Sequence, residues 1–362
     1  MFQATYKPYI LKFKRPSGTS RGILKVKKSY FIFLKSRSES SDNSLVAIGE
    51  CGILKGLSYD DRDDYEDQLE QICQKINQGA SSPEIGELTA TLQEFPSIRF
   101  GLEMALKDWQ QGCQRIYYQN NDFIQGKPIA INGLIWMGEA EFMRQQIASK
   151  LEQGFTCLKL KIGAIDFETE LQLIKDIRRE FSPELVEIRV DANGAFAPED
   201  ALEKLDRLAE YDLHSIEQPI KPQQIEHMAL LCEKTPLPIA LDEELIGVND
   251  YKLKQQLLLD IKPQYIILKP SLLGGFTATQ EWIELAEKQN IPWWITSALE
   301  SNIGLNAIAQ LTAETKNQLP QGLGTGQLYT NNFDSPLEVK EGYLHYRQNL
   351  SWNLSLLFQQ YS

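Results

Sequence analysis

The sequence predicts an α/β protein, in which a closed, TIM-like (β/α) barrel follows an N-terminal α+β unit. Short β-rich runs recur eight times after about residue 129, and most precede an amphipathic stretch typical of a helix. Strand–helix alternation implies parallel strands, and eight such units in roughly 200 residues fit a closed barrel. No G-x-G-x-x-G motif follows the first of these strands, which disfavours an open dinucleotide-binding sheet.

The N-terminal unit combines strands and helices. The runs YFIFLKS and LVAIGECGIL are rich in β-branched and aromatic residues, and a polar stretch separates them. Before them, RPSGTSRG (residues 15–22) is dense in Gly, Pro and Ser, which predicts a loop or hairpin tip. After Tyr59, apolar residues recur every three to four positions, which predicts helices over DDYEDQLEQICQKI and RFGLEMALKDWQQG.

The barrel strands are predicted from eight runs in chain order. They are IAINGLIW, CLKLKIG, VEIRVDANG, HSIEQPI, PIALDEEL, YIILKPS, PWWITSALE and GLGTGQL. The clearest helices between them are EAEFMRQQIASKLEQG, ELQLIKDIRREF and PEDALEKLDRLAEY. The third begins at Pro198, which suits a first helical turn, and the acidic residues after it complement the positive end of the helix dipole.

Composition and charge narrow the classes of function. The chain has 362 residues and a formal net charge of −12, which argues against nonspecific binding of nucleic acid. The five cysteines are scattered without a C-x-x-C pair, as is typical of buried thiols in a reducing compartment. No run of 18 or more apolar residues is present, and no apolar segment follows the N-terminal lysines. We therefore expect a cytoplasmic protein with no membrane segment and no nucleic-acid partner.

Ionisable residues stand at the ends of five successive predicted strands. They lie 25 to 30 residues apart, close to one βα period, and are Lys161, Asp191, Glu217, Asp242 and Lys269. A single carboxylate at a strand end is most often a helix cap or a solvated loop residue. Five in succession indicate a functional site, because the C-terminal ends of barrel strands converge on one mouth.

Three of these residues are carboxylates, which indicates a metal site. Asp191, Glu217 and Asp242 would lie on adjacent strands, where mutual repulsion raises the pKa of at least one carboxyl unless a cation stands between them. An all-oxygen ligand set with room for water and substrate suits Mg²⁺. A zinc site would be expected to use His or Cys, and the three histidines show no ligand spacing.

Lysines flank the predicted carboxylates. Lys159 and Lys161 are two residues apart in a strand, so both side chains point to the same side, toward the mouth. A neighbouring ammonium and a divalent cation both disfavour protonation of Lys161, which favours its role as a general base. Lys269 would approach from the opposite side. This arrangement suits removal of the proton α to a metal-bound carboxylate, so we expect a small-molecule carboxylate substrate.

These residues resemble those of the enolase superfamily, in particular its muconate-lactonizing-enzyme subgroup, whose sites combine a Lys or His base with Mg²⁺. The matching motifs are KLK (159–161), DANG (191–194), IEQP (216–219), LDEEL (241–245) and LKPSLLGG (268–275). The resemblance implies a (β/α)7β TIM-like barrel with an N-terminal α+β capping domain. It places the capping domain at residues 1–125 and the catalytic barrel at residues 126–325, with residues 326–362 packing on the cap.

Within that subgroup, the segments SGTSRG, TSALESNIG and GLGTGQLYTNN resemble those of the o-succinylbenzoate synthases. The resemblance implies a lyase of menaquinone biosynthesis, which removes water in syn fashion from 2-succinyl-6-hydroxy-2,4-cyclohexadiene-1-carboxylate. It implies Mg²⁺, with Mn²⁺ as a substitute, on Asp191, Glu217 and Asp242. Lys161 would act as base and then as acid. Lys269 would stabilise the enolate from the opposite face.

Lys159 would help to hold the substrate carboxylate. Further residues are expected to bind substrate or to orient the ligands: Asn193, Glu243, Ser297, Glu300, Ser301, Thr19 and Arg21. Asn193 and Glu243 adjoin metal ligands and would orient them. Arg21, in the early loop, would meet an anionic substrate as part of a lid. Asn302 replaces the second serine of the family's ESSIG-like segment, which leaves the contact there open.

Other functions remain open on the sequence alone. N-succinylamino acid racemases share the same lysines and metal ligands, as do muconate cycloisomerases. Dipeptide epimerases carry an Asp-x-Asp pair at the eighth strand, and GLGTGQLY has no carboxylate. A non-catalytic barrel is disfavoured because all six lysine and carboxylate positions are filled. A phosphate-binding barrel is disfavoured because QLYTNNFDSP does not read as a helix start. The oligomeric state is not predicted.

Overall fold

A computed structural model describes residues 1–19, 22–37 and 45–358 of the chain. The N-terminal unit is a three-stranded antiparallel sheet, in the order β1-β2-β3, with three helices. Its elements are β1 (Phe2–Thr19), β2 (Gly22–Ser36), β3 (Ala47–Cys51), α1 (Tyr65–Asn77), α2 (Ser82–Ala90) and α3 (Pro96–Gln110). The long β1–β2 ladder continues to the pair Thr19–Gly22, so residues 17–19 and 22 of the RPSGTSRG segment are paired strand residues.

The helix α2 was not predicted from apolar spacing, although a short-range signal marks its start. Ser81 precedes it, and the backbone N–H of Ser81 donates to Glu84 Oε2 at 2.7 Å. This is the reciprocal Ser-x-x-Glu capping pattern, which satisfies donors that a helix start leaves free. The predictions of α1 and α3 are confirmed, with α3 beginning earlier than predicted, at Pro96.

The helix α3 packs against β3 with the two backbones in direct contact. A Cβ added at Gly49 would lie 1.7 Å from the carbonyl oxygen of Gly101. The apolar residues of this unit form a core of their own between the sheet and the helices. Two glycines therefore set the distance between the sheet and its main helix.

After β4 (Ile129–Ala130), seven parallel strands form the barrel sheet, in the order β11-β10-β9-β8-β7-β6-β5. They are β5 (Gly133–Ile135), β6 (Cys157–Lys161), β7 (Glu187–Asp191), β8 (Ser215–Glu217), β9 (Ile239–Leu241), β10 (Tyr265–Leu268) and β11 (Trp293–Ile295). The helices are α4 (Ala140–Glu152), α5 (Phe167–Glu180), α6 (Pro198–Ala209), α7 (Ile225–Lys234), α8 (Tyr251–Ile261), α9 (Pro270–Leu273), α10 (Gly275–Lys288) and α11 (Asn302–Thr315). None of the helices in the described part of the chain combines the length and apolarity needed to cross a bilayer.

The eighth predicted strand closes the barrel by single bridges. Gln321 bridges Ile131 beside β5, and Gly322 bridges Thr296 beside β11, both in parallel orientation. The residues that follow Gly322 turn away from the sheet instead of continuing as a strand. The predicted run GLGTGQL is therefore a strand only at its first residue, because its glycines favour a turn.

The chain then returns to the N-terminal unit. Strands β12 (Leu337–Lys340) and β13 (Tyr343–Tyr346) form an antiparallel sheet with β4, and α12 (Ser355–Phe358) follows. Asn331 holds this return on β1: its side-chain oxygen accepts from Lys12 N at 2.8 Å, and its amide donates to Ile10 O at 2.8 Å. The domain boundaries at residues 125 and 325 stay predictions.

Candidate active site

The register of the barrel sheet aligns three of the predicted site residues. Lys161 pairs with Asp191 on β7, and Asp191 pairs with Glu217 on β8. All three stand at the carboxyl ends of their strands. Asp242 follows β9 and Lys269 follows β10, so five neighbouring strands deliver their ionisable residues to one end of the barrel. The structure thus brings together the residues that the spacing predicted.

Each buried carboxylate is paired with an ammonium group. Lys159 Nζ contacts Glu217 Oε2 and lies 2.9 Å from Asp191 Oδ2, and Lys161 Nζ lies 2.9 Å from the same Asp191 oxygen. Lys269 Nζ contacts Asp242 Oδ2. The two lysines of β6 therefore share a face, as their spacing predicted. The electrostatic repulsion between their two ammonium groups is offset, because the carboxylates between them carry the opposite charge.

Burial and neighbouring charges shift the pKa values along this row. Burial, with the negative charge of Asp191, raises the pKa of Glu217 to about 8, and burial also raises the pKa of Asp242. Burial alone would raise the pKa of Asp191 as well, but the lysines beside it, Lys159 first, hold it below its usual value. Burial opposes the charged form of Lys159 and Lys269, yet the carboxylates outweigh it and raise both pKa values. The buried carboxylates are therefore stabilised in their charged form by positive charge placed beside them.

The three carboxylates Asp191, Glu217 and Asp242, here called the carboxylate row, have the chemistry of a divalent-cation site. Glu217 Oε1 is buried without a hydrogen-bond partner among the described residues, and Lys269 Nζ lies 3.8 Å from it. As the side chains stand, no three His, Cys, Asp or Glu residues in the described part of the chain are gathered into a ready metal site, because lysines stand between the carboxylates. The donor set, three carboxylates without His or Cys, suits a hard cation such as Mg²⁺.

A cavity of about 470 Å³ opens above this row, between the barrel mouth and the N-terminal unit. Its wall includes Lys159, Lys161, Lys269 and Asp191 from the barrel, and the β1–β2 hairpin covers one side. Seven of its described lining residues are Lys or Arg, and the one acid among them is Asp191. A chain with a net charge of −12 thus encloses a cationic cavity, which suits an anionic ligand.

Three of the predicted supporting residues lie at this cavity or directly behind it. Asn193 lines it, accepts from Lys161 Nζ at 2.7 Å, and donates to Glu243 Oε1 at 2.9 Å. Ser297 lines it as well, and its hydroxyl is 2.6 Å from that of Thr325 in the glycine-rich segment. Asn193 therefore links the predicted base to a second carboxylate.

Glu300 and Ser301 have internal partners instead of places on the cavity wall. Glu300 is fully buried and accepts from Ala298 N at 2.7 Å and from the hydroxyl of Ser271. Ser301 donates its hydroxyl to Glu50 of β3 at 2.5 Å. Both side chains join the barrel loops to each other or to the N-terminal unit, and their binding of substrate stays a prediction.

The remaining two predicted residues, Thr19 and Arg21, belong to the RPSGTSRG segment of the sequence. Thr19 is the last residue of β1, and Arg21 lies outside the described residues. Their contact with substrate stays a prediction. Arg15 and Ser17, in the same segment, do line the cavity.

Sequence analysis missed the part of the cavity wall that α4 provides. Residues on one face of this helix line the cavity, among them Gln146 and Lys150. The amphipathic pattern correctly predicted a helix, but it does not show that the polar positions of this helix face a cavity. The sequence signal that could have indicated this wall was the half-polar pattern of the helix that follows the first barrel strand.

The family comparison agrees with this geometry. The family described as enolase C-terminal domain-like matches residues 142–350, and the chain belongs to it. The chain is 46% identical to the o-succinylbenzoate synthase of Desulfotalea psychrophila, across 94% of this chain and 98% of that protein. A crystal structure of MenC from the same organism covers 95% of this chain with a TM-score of 0.82. The predicted superfamily and fold class are confirmed.

A second relative shares the fold with a different reaction. The L-Ala-D/L-Glu epimerase of Bacillus subtilis is 24% identical over 83% of this chain and 80% of that protein. The structure of its substrate complex superimposes with a TM-score of 0.81 at 20% identity, over 97% of each chain. This likeness shows the fold alone.

Proposed function

We propose that the chain is an o-succinylbenzoate synthase, which removes water from 2-succinyl-6-hydroxy-2,4-cyclohexadiene-1-carboxylate to give o-succinylbenzoate in menaquinone biosynthesis. The observation that carries the proposal is that Lys161 and Lys269 reach one row of buried carboxylates from its two ends, at the base of a cationic cavity. The relative named o-succinylbenzoate synthase, 46% identical along nearly the whole chain, supports the same reaction.

Lys161 is the group that moves the proton. As a free amine it takes the proton from the ring carbon that bears the carboxylate, and the electron pair of that C–H bond enters the ring. The C–O bond to the ring hydroxyl then breaks, and Lys161, now an ammonium, protonates the leaving hydroxyl to give water. One residue serves both steps because proton and hydroxyl leave from the same face of the ring. Asn193 holds the Lys161 side chain in place at 2.7 Å.

Lys269 stands across the site and places a positive charge against the opposite face of the ring, where negative charge develops. Lys159 is buried between Asp191 and Glu217 and adds positive charge next to the substrate carboxylate. Asp191, Glu217 and Asp242 would hold Mg²⁺, with Mn²⁺ as a substitute. When bound, the ion supplies further positive charge that stabilises the anion formed by proton removal.

The cavity supports the proposed charge of the substrate, and the cysteine thiols support the proposed location of the protein. Lysine and arginine side chains dominate the described cavity wall, which favours a small anionic substrate. All five cysteines are buried outside any disulfide bond, which supports a reducing, cytoplasmic location.

The proposal is tested by a dehydration assay on the purified protein with Mg²⁺. We expect rapid formation of the aromatic product, and its loss when EDTA is added. N-succinyl amino acids are run in parallel for α-proton exchange. Absent aromatisation beside fast exchange would move the function to a racemase while it kept the lysine roles.

The Lys161→Ala variant tests the assignment of the base. We expect turnover to fall by at least about three orders of magnitude, because the general base and acid is lost from both steps. Fold and Mg²⁺ binding are checked by circular dichroism and calorimetry and should persist. Retained turnover would remove Lys161 as the base.

A further inference from the structure

The residues that line the cavity extend past the barrel mouth to α4, on the outer side of β5. The strand β5 is the edge of the sheet: it pairs with β6 on one side, and on its other side the described residues provide only the bridge from Ile131 to Gln321 just before it. Leu134 pairs with Lys159 and shares its inward face, whereas Gly133 faces outward. Leu134 lines the cavity, and so does Lys150, which packs on Gly133 from outside.

One face of α4 forms the wall of this extension. The residues that line it recur at helical spacing: Phe142, Gln145, Gln146, Ser149 and Gln153. The side chain of Gln146 accepts from Trp136 N at 2.9 Å and donates to Trp136 O at 3.0 Å, which fixes the helix to the end of β5. This wall offers uncharged hydrogen-bonding groups, and among its described members there is no acid.

Lys150 supplies the charge in this wall. A Cβ placed on Gly133 would lie 3.2 Å from Cγ and Cδ of Lys150, so the lysine stem covers the edge strand. Its ammonium lies 4.6 Å from the centre of the Phe155 ring. Among the described residues no carboxylate pairs with Lys150, and burial lowers its pKa.

The other cations of the cavity are engaged or exposed. The three lysines at the strand ends are paired with the carboxylate row. Lys14, Arg15 and Lys55, at the rim, are exposed to solvent, where a charge contributes little to binding. Lys150 is half-buried, so an anion that reaches it leaves water at the same time.

We propose that Lys150 binds the distal carboxylate of the substrate's succinyl chain, which would extend past β5 toward α4 while the ring carboxylate stays at the carboxylate row. The inference rests on the proposed function, since that substrate carries two carboxylates. A carboxylate that leaves water needs a cation or several donors. Lys150 provides that cation. The same subsite would hold the succinyl group of an N-succinyl amino acid.

The experiment compares two product-like ligands as competitive inhibitors of the Mg²⁺-loaded enzyme. Both o-succinylbenzoate and 2-butanoylbenzoate carry the ring carboxylate and the ketone, and only the first has a distal carboxylate. We expect the wild-type enzyme to prefer o-succinylbenzoate by about ten- to a hundredfold, the usual range for a hydrogen bond to a charged group. Lys150→Met should remove this preference without changing the inhibition constant of 2-butanoylbenzoate. Lys150→Arg should retain it.

Lys55→Met is the matched control, because Lys55 lines the same cavity but is exposed, and it should keep the preference. An unchanged preference in Lys150→Met, equal weakening of both ligands, or loss of the preference in Lys55→Met instead would overturn the assignment. Lys150→Gln replaces the methionine variant if that variant does not fold. If the wild-type enzyme fails to aromatise the diene but exchanges α-protons, the proposed function fails. In that case N-succinyl- and N-butanoylphenylalanine replace the two benzoates and test Lys150 separately.

Discussion

At the scale of single residues, Asn193 stands out because three parts of the site meet on it. Its side-chain oxygen accepts from Lys161, its amide donates to Glu243, and its backbone N–H donates to Asp191 Oδ1 at 3.0 Å. Its φ of 45° lies in the left-handed region, which asparagine tolerates better than most residues. We therefore expect Asn193 to position the predicted base.

Replacing Asn193 should affect the rate more than substrate binding. We expect Asn193→Ala to lower kcat by about ten- to a hundredfold, the usual cost of removing a residue that orients a reactive group. KM should change little, because the substrate loses no direct partner. Steady-state kinetics measure both constants, and Asn331→Ala, on the return to β1, serves as the remote control. A raised KM with unchanged kcat would contradict this role.

A second prediction at this scale concerns a buried acid of the N-terminal unit, Asp60. Asp60 accepts from both N–H and hydroxyl of Ser97, and burial raises its pKa from 3.8 to about 6. Because the folded state holds this proton more tightly than the unfolded state, the stabilisation is complete below pH 4 and is lost as the pH rises through about 6.

The Asp60→Asn variant keeps an acceptor for Ser97 but cannot ionise. We expect its free energy of unfolding, relative to wild type, to rise between pH 4 and pH 6 by about 2 kcal/mol. Urea unfolding at a series of pH values gives this difference, in which the contributions of all other groups cancel. A difference that stays constant across this range would show that Asp60 is ionised throughout.

At the scale of elements, replacing either of two helical glycines by alanine should change the free energy of unfolding in opposite directions. A Cβ at Gly101 of α3 would lie 2.3 Å from Cys51 Sγ and 3.1 Å from Cys51 N, so the helix and β3 must separate. A Cβ at Gly86 of α2 meets no atom within 4 Å. We expect Gly101→Ala to destabilise by several kcal/mol and Gly86→Ala to stabilise by up to about 1 kcal/mol. Thermal unfolding measures both, and a stabilised Gly101→Ala would disprove the backbone contact.

The same scale shows what the sequence could and could not predict. The gathering of Lys161, Asp191 and Glu217 was predictable, because each ends a strand and parallel strands align their ends. The limits of the eighth strand were not, because a glycine-rich run fits both a strand and a turn. The place of Lys150 on the cavity wall was also hidden, since no local pattern shows that this face of α4 meets the cavity.

At the scale of the whole molecule, charge is distributed unevenly. The chain carries a net charge of −12, whereas cations predominate along its cavity wall. At an ionic strength of about 0.1 M, charges more than about 10 Å apart are largely screened, so the cavity and not the acidic surface dominates the final approach of an anion.

We therefore expect kcat/KM for the dianionic substrate to fall when the salt concentration is raised from about 0.1 to about 0.5 M, because the remaining attraction is screened further. Initial rates at low substrate concentration measure this ratio. The control is a chloride and an acetate series at equal ionic strength, which should coincide. A ratio that rises with salt would mean that the acidic surface governs the encounter.

The attachment of the N-terminal unit has a consequence for motion. Glu50 of β3 accepts from Gly304 N at 3.0 Å as well as from Ser301, and Glu103 of α3 accepts from Phe276 N at 2.7 Å at the start of α10. These buried contacts join the N-terminal unit to two barrel helices at once. We therefore expect the unit to keep its position over the barrel and not to open as a domain. We therefore expect substrate and product to enter and leave at the rim of the cavity, beside residues 14–17 and 54–57. Exchange there needs no hinge motion of a whole domain, which is slower than the motion of single loops.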